Sequence, residues 1–129
     1  MPVVEGMFHL DTNFLVRVQV AGSAEETRYH QLVRAGEVAG ISTVAWGEYL
    51  CGPVSADEEA AARYLVGDIE PLLAGDAELA AQLFNATGRR SRSFADCMIA
   101  AIALRSGARL ATSNTADFTP FVPHGLSLA

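Results

Sequence analysis

Along the chain, short apolar runs alternate with longer stretches of helical period. The run Phe8-His9-Leu10 ends in Asp11-Thr12-Asn13, which predicts a buried strand carrying Asp11 at its C-terminal tip. Asn13 to Val20 then reads as one or two helical turns, and the capping box Ser23-Ala24-Glu25-Glu26 opens a helix to about Ala35, closed by Gly36. Val38 to Ser42 is the second predicted strand. Ser42 or Thr43 caps the helix Val44 to Cys51, in which Glu48 is the one charge.

After Gly52-Pro53, a second capping box at Ser55 to Glu58 starts an alanine-rich helix to about Val66, ended by Gly67. Ile69 to Leu73 is predicted as a short edge strand, since Pro71 cannot donate to a sheet ladder. Asp76 is expected to cap a helix from Ala77 to about Thr87. Phe94 to Arg105 is a strongly apolar helix stopped by Gly107, Arg109 to Ala111 is a further strand, and Gly125 to Leu128 is taken as the last one. Strands alternating with helices predict an α/β domain with a parallel sheet, and nothing between residues 1 and 129 marks a linker or an internal repeat.

Polar residues recur where such a sheet ends. Open parallel sheets bind ligands at the C-terminal tips of their strands, where Asp11 and the segment Asn114 to Asp117 stand. Each residue also has an ordinary structural account. Asp11 and Asn13 make a turn and cap a helix, and Glu48 is either at a solvent edge or in a shared polar pocket. Asp96 shares a face with Ile99, Ala100 and Ala103, yet it also fits the third helical position of a capping box at Ser93. Asp117 serves as readily to turn the chain before Phe118 packs inward.

Composition narrows the chemistry. Half of the 129 residues are hydrophobic without a membrane-length run, and the opening Met-Pro-Val-Val-Glu-Gly lacks the form of a secretory signal, so a soluble, cytoplasmic protein is expected. Cys51 and Cys97 lie in apolar helical contexts and are read as core thiols. A net charge of −6 argues against wrapping nucleic acid with the whole surface. All nine basic residues are arginine, which removes a phosphate-loop lysine or a Schiff base. The one basic cluster, Arg89-Arg90-Ser91-Arg92, precedes a helix N-terminus, where positive charge opposes the macrodipole. It is either a phosphate contact or a solvated loop.

Acids brought together at several strand-to-helix junctions would repel unless a cation neutralised them. Oxygen donors with no histidine or cysteine among them favour Mg2+, or Mn2+ as a substitute, over zinc. Such a metal activates water and stabilises the leaving oxygen in phosphodiester cleavage.

Over nearly its whole length the chain resembles the PIN-domain family, and within it the VapC-type ribonuclease toxins of toxin–antitoxin pairs. The resemblance is carried by Leu10-Asp11-Thr12-Asn13, Glu48, Asp96-Cys97-Met98-Ile99-Ala100-Ala101 and Thr112 to Phe118. It implies a three-layer α/β/α sandwich around a parallel five-stranded sheet, Mg2+-dependent endoribonuclease activity, a homodimer and inhibition by a cognate antitoxin protein. By motif, Asp11 and Asp96 are expected as principal metal ligands with Glu48 completing the acidic triad. At a fourth position, where many members carry an acid, this chain has Asn114, with Asp117 three residues later. RNA contacts are expected from Asn13, Arg89, Arg90 and Arg92. An antitoxin groove is expected around Leu15, Val18 and Trp46 of the early helices.

Other classes fit less well. A phosphorelay receiver would require a lysine near the end, a nucleotide-binding module a glycine-rich loop after the first strand, and a serine hydrolase a Gly-x-Ser-x-Gly elbow; none is present. A PIN-like domain that binds RNA or a protein without cutting remains the alternative.

Overall fold

A computed structural model of the chain describes residues 6–88 and 94–129. Four strands form one parallel sheet in the order β3-β2-β1-β4: β1 (Met7–Leu10), β2 (Val38–Ser42), β3 (Asp68–Glu70) and β4 (Ala108–Ala111). Among the described residues seven α-helices connect and flank them: α1 (Thr12–Val18), α2 (Ala24–Arg34), α3 (Thr43–Leu50), α4 (Ala56–Val66), α5 (Ala74–Ala86), α6 (Phe94–Ser106) and α7 (Thr115–Phe118), with a 3-10 turn over Thr119–His124. Neighbouring residues of a strand point to opposite faces. Phe8, His9 and Leu10 are all buried, so helices cover both faces and the strands read as continuous apolar runs.

The sheet has four strands, not the expected five. The tail meets β4 at a single bridge between Leu110 and Leu128, made by Leu110 N–H to Ser127 O and Ala129 N–H to Leu110 O. The 3-10 turn with Pro120 and Pro123 takes up the residues before it, so pairing lasts for one position. β3 is an edge strand as expected, but it runs from Asp68 to Glu70 and stops at Pro71.

Asp76 is not the cap of α5. The helix starts at Ala74, and Asp76 sits in its third position, accepting a hydrogen bond from Leu73 N–H at 2.8 Å. Arg105 of α6 explains the position. Its Nε donates to both Asp76 oxygens at 2.8 and 3.0 Å, while its other nitrogens reach Glu70 and the Pro71 carbonyl, tying α6 to β3 and α5.

Cys97 is buried as expected, whereas Cys51 is exposed. α3 is apolar around most of its circumference, so sequence does not reveal its inner face. Ala45, Trp46 and Tyr49 take that face, leaving Cys51 at the C-cap.

Candidate active site

Register decides where the polar junctions fall. Leu10 is paired with Ile41 on one side and Ala111 on the other, so β1 and β4 end level and β2 runs one residue further, to Ser42. Asp11, Ser42 and Thr112 stand side by side at this edge, and all three organise it.

Asp11 caps α1 through a hydrogen bond from Phe14 N–H to its Oδ1 at 2.8 Å. Its Oδ2 accepts from the Thr112 hydroxyl, which in turn accepts from Asn114 N–H at 2.9 Å. The capping role and a site role therefore coexist: the carboxylate is only 5% exposed, yet it lines a cavity of about 190 Å3. Burial pushes its pKa up from the ordinary aspartate value, opposed by the bonds from Thr112 and Phe14 and reinforced by the charges of Glu48 and Asp117.

The same cavity is lined by Glu48, Asp96, Asp117, Asn114 and Asn13, with Ile99 and Phe118 as apolar walls. Ser42 caps α3 by accepting from Ala45 N–H at 3.0 Å, which starts the helix that carries Glu48. Glu48 is exposed, but its Oε1 accepts from the Thr12 hydroxyl at 2.8 Å. Asp96 is half-buried on the first turn of α6, and the buried Ile99, Ala100 and Ala103 below it seat that helix. Ser93, its proposed capping partner, lies outside the described residues. Asp117 rides on α7, which is anchored by Phe118 packed edge-on against Phe121 at 6.1 Å. Asn114 sits at the N-cap of α7, exposed, and makes no side-chain capping bond.

The structure thus brings Asp11, Glu48, Asp96, Asn114, Asp117 and Asn13 to one cavity. Arg89, Arg90 and Arg92 fall outside the described residues. Thr12 and Thr112, to which the sequence alone assigned no role, are the hydroxyls that position Glu48 and Asp11. The signal was a hydroxyl residue directly after a strand tip.

Among the described residues no three acids converge into a ready-made chelate. The donor set nevertheless fits a hard divalent cation, because Mg2+ keeps several waters and is commonly held by one or two carboxylates plus substrate phosphate. A cation would also offset the repulsion that Glu48 and Asp117 exert on Asp11.

The PIN domain family matches residues 9–119, and this chain belongs to that family. Among curated proteins none matches. Of solved structures, the VapBC2 complex from Rickettsia felis bound to a promoter DNA fragment superposes with a TM-score of 0.71 at 18% identity, covering 95% of this chain and 97% of that one. VapBC-1 from nontypeable Haemophilus influenzae gives 0.71 at 17% identity, over 95% and 96%. The sarcin-ricin loop cleaving toxin VapC20 of Mycobacterium tuberculosis gives 0.63 at 18% identity, over 95% and 98%. At such identities the likeness is one of fold.

Two further expectations concern surfaces. Leu15, Val18 and Trp46, expected to line an antitoxin groove, are buried in the core. On α1 their spacing brings Leu15 and Val18 to the sheet side, and on α3 Trp46 stacks on Tyr49 at 5.7 Å. The exposed apolar residues nearby are Val16, Val20 and Leu50. Among the described residues, no helix is long and apolar enough to cross a membrane.

Proposed function

We propose that this chain is a Mg2+-dependent endoribonuclease and the toxin of a toxin–antitoxin pair. The carrying observation is that four carboxylates, from four separate chain segments, line one cavity at the C-terminal edge of a parallel sheet. In support, the structures sharing the fold include toxin–antitoxin complexes and a toxin that cleaves the sarcin-ricin loop.

In this reading Asp11, Glu48 and Asp96 would hold the cation, with Asn114 offering a neutral amide oxygen. Asp117 adds negative charge beside Asp11 and would take up a proton or orient the attacking water. When bound, Mg2+ lowers the pKa of water and offsets charge on the leaving oxygen. The Phe14 amide and the Thr112 hydroxyl hold the Asp11 carboxylate in place, and Thr12 holds Glu48, so the first two ligands are oriented before RNA arrives. Asn13, at the cavity rim, and the arginines at 89, 90 and 92 contact the RNA backbone.

For the antitoxin, the occupied surface is a cavity of about 240 Å3 lined by Val16, Gln19, Tyr49, Pro53, Val54 and Glu58, where apolar side chains of α1 and the α3–α4 turn are accessible. The protein works as a homodimer in the cytoplasm, where its RNA substrates are.

Purified protein is incubated with end-labelled single-stranded RNA and Mg2+, Mn2+ or a chelator. Cleavage that stops with chelation and with Asp96→Asn supports the reading. Binding without cleavage at any metal concentration would leave the non-cutting PIN module in its place. Titration calorimetry of Asn114→Asp and Asp117→Asn assigns the fourth site. The first should tighten Mn2+ binding, and the second should weaken cleavage without losing the ion. Light scattering, and co-purification with a small protein encoded by a neighbouring gene, test the partners.

A further inference from the structure

A second cavity, of about 560 Å3, adjoins the acidic one and shares Asn13 and Asn114 with it. Val16, Arg17, Glu25 and Ser113 complete its lining, and Arg17 is the one cation among the described residues that line either cavity.

Arg17 is aimed by its neighbours. Its Nε donates to Glu25 Oε2 at 3.1 Å, and the same oxygen accepts from the Ser113 hydroxyl at 2.8 Å. The two partners are unequally exposed, the Glu25 side chain being 13% accessible and the Arg17 side chain 55%. The carboxylate therefore braces the guanidinium from behind, and the positive end is left to the cavity. With only Nε engaged, the two terminal nitrogens make no hydrogen bond or ion pair among the described residues, and they present the planar fork that suits phosphate oxygens. An ion pair with one member this exposed stabilises a fold little, so packing alone gives weak reason for an arginine here.

Position matters as much as charge. Asn13 and Arg17 are four residues apart on α1, hence on one face and about one turn, or about 5.4 Å, from each other. That step is comparable with the spacing of successive phosphates along a nucleic-acid strand. Asn13 stands at the boundary of the two cavities, so Arg17 lies one step farther from the carboxylates. Four carboxylates line the acidic cavity, more than one divalent cation neutralises, and a polyanion threaded through it gains from a positive contact beside the scissile phosphate.

Resting on the nuclease reading, we infer that the second cavity carries the RNA backbone past the acidic site, with Arg17 holding the phosphate next to the scissile one. The terminal nitrogens donate to the non-bridging oxygens of that phosphate. Ser113, in the same turn as Thr112, fixes the Glu25 brace relative to Asp11. Every nucleotide presents the same phosphate, so the contact adds affinity and register without reading sequence.

The test uses Asp96→Asn full-length protein in Mg2+, so that binding is read without cleavage. The probe is a fluorescein-labelled single-stranded RNA of mixed sequence, followed by anisotropy across a series of NaCl concentrations. Adding Arg17→Gln is expected to weaken binding about tenfold at the lowest salt and to make the slope of log K against log salt shallower by about 0.7, the share of one phosphate on a single strand. Arg17→Lys keeps the charge and is expected to retain the slope. Arg34→Gln, at an exposed site on α2 outside both cavities, removes the same charge and is expected to leave affinity and slope near those of Asp96→Asn alone. Thermal melts check that each variant is folded. An unchanged slope in Arg17→Gln, an equal loss in Arg34→Gln, or no RNA binding by Asp96→Asn overturns the inference. An unchanged slope would instead fit an acidic side chain of a protein partner as the occupant. With Asp96 restored, Arg17→Gln is expected to raise KM about tenfold and keep kcat, as for a contact made equally in the bound and transition states. Wild-type cleavage is scored separately. An Arg17-dependent slope without cleavage sinks the nuclease reading and leaves the backbone contact standing, while cleavage with an Arg17-independent slope does the reverse.

Discussion

The hydroxyl of Thr12 donates to Oε1 of Glu48 at 2.8 Å, joining the first turn of α1 to α3 across the acidic cavity. Glu48 is otherwise exposed, and a free glutamate pays rotamer entropy each time it engages an ion. Thr12→Val keeps the shape and removes the donor. Mn2+ affinity and cleavage are expected to fall about 10–100-fold, the usual cost of losing a partner that orients a ligand, with the melting temperature little changed. Titration calorimetry with a parallel thermal scan checks both halves. Unaltered affinity would make the bond incidental.

Asp11 places a carboxylate in a nearly closed environment beside two other acids, and burial raises its pKa. A raised carboxyl pKa means that the ionised form is less favoured in the folded than in the unfolded chain. Ionisation above the folded pKa therefore costs stability, and the cost is relieved as pH falls. Asp11→Asn removes that cost at neutral pH, while its amide oxygen still caps Phe14 N–H. The variant should melt higher than wild type in chelator and lose cleavage. Calorimetry in chelator and in Mg2+ separates the effects, because the metal should stabilise only the wild type.

Glu25 has the opposite sign. Its folded pKa is lowered from the ordinary 4.5, first by the Ser113 hydroxyl. The stability it contributes is present above the unfolded value and disappears as pH falls through the folded one. Glu25→Gln should therefore lower stability at neutral pH and flatten the acid limb below about pH 4.5, so that the two curves converge in acid. Urea denaturation at stepped pH reads this, and parallel curves for the two proteins would exclude the linkage.

Gly40 of β2 is paired with His9 of β1, and a Cβ at position 40 would lie 3.1 Å from His9 Cδ2. Strand packing on both faces leaves the imidazole little room to withdraw. Gly40→Ala is expected to cost about 1–3 kcal/mol. Gly47, inside α3, has no such neighbour within 4 Å, so Gly47→Ala should stabilise by about 0.5–1 kcal/mol through helix propensity. Opposite signs in chemical denaturation establish that close approach, rather than glycine content, matters at position 40.

Arg105 bridges Asp76, Glu70 and the Pro71 carbonyl, and Asp76 is 2% exposed at its side chain. Asp76→Ala removes both the Leu73 capping bond and the main partner of the guanidinium. A loss of about 2–3 kcal/mol is expected, as for charged hydrogen bonds at partly buried sites. Guanidinium chloride melts provide the value.

What the sequence determined by itself is local. Capping boxes at Ser23 and Ser55 and stops at Gly36, Gly67 and Gly107 set most helix ends, because those signals act within one turn of chain. Apolar runs marked the strands, and acids at their tips marked the candidate site, because parallel sheets place loop residues at one edge. Tertiary structure decided everything that depends on partners distant in the chain. Arg105 drew Asp76 inward from 29 residues away, and α5 began earlier than its local signals implied. A single bridge at Leu128 stands where a fifth strand was expected, because strand length depends on how long two segments stay aligned, which no local pattern encodes. The apolar α1 and α3 gave no periodic clue to which side faces the core, so Leu15, Val18 and Trp46 went inside while Val16 and Cys51 stayed out. The hydroxyls that hold Asp11 and Glu48 were settled by register alone. Thr112 is 101 residues from Asp11 and becomes its neighbour only because β1 and β4 pair in parallel and end level.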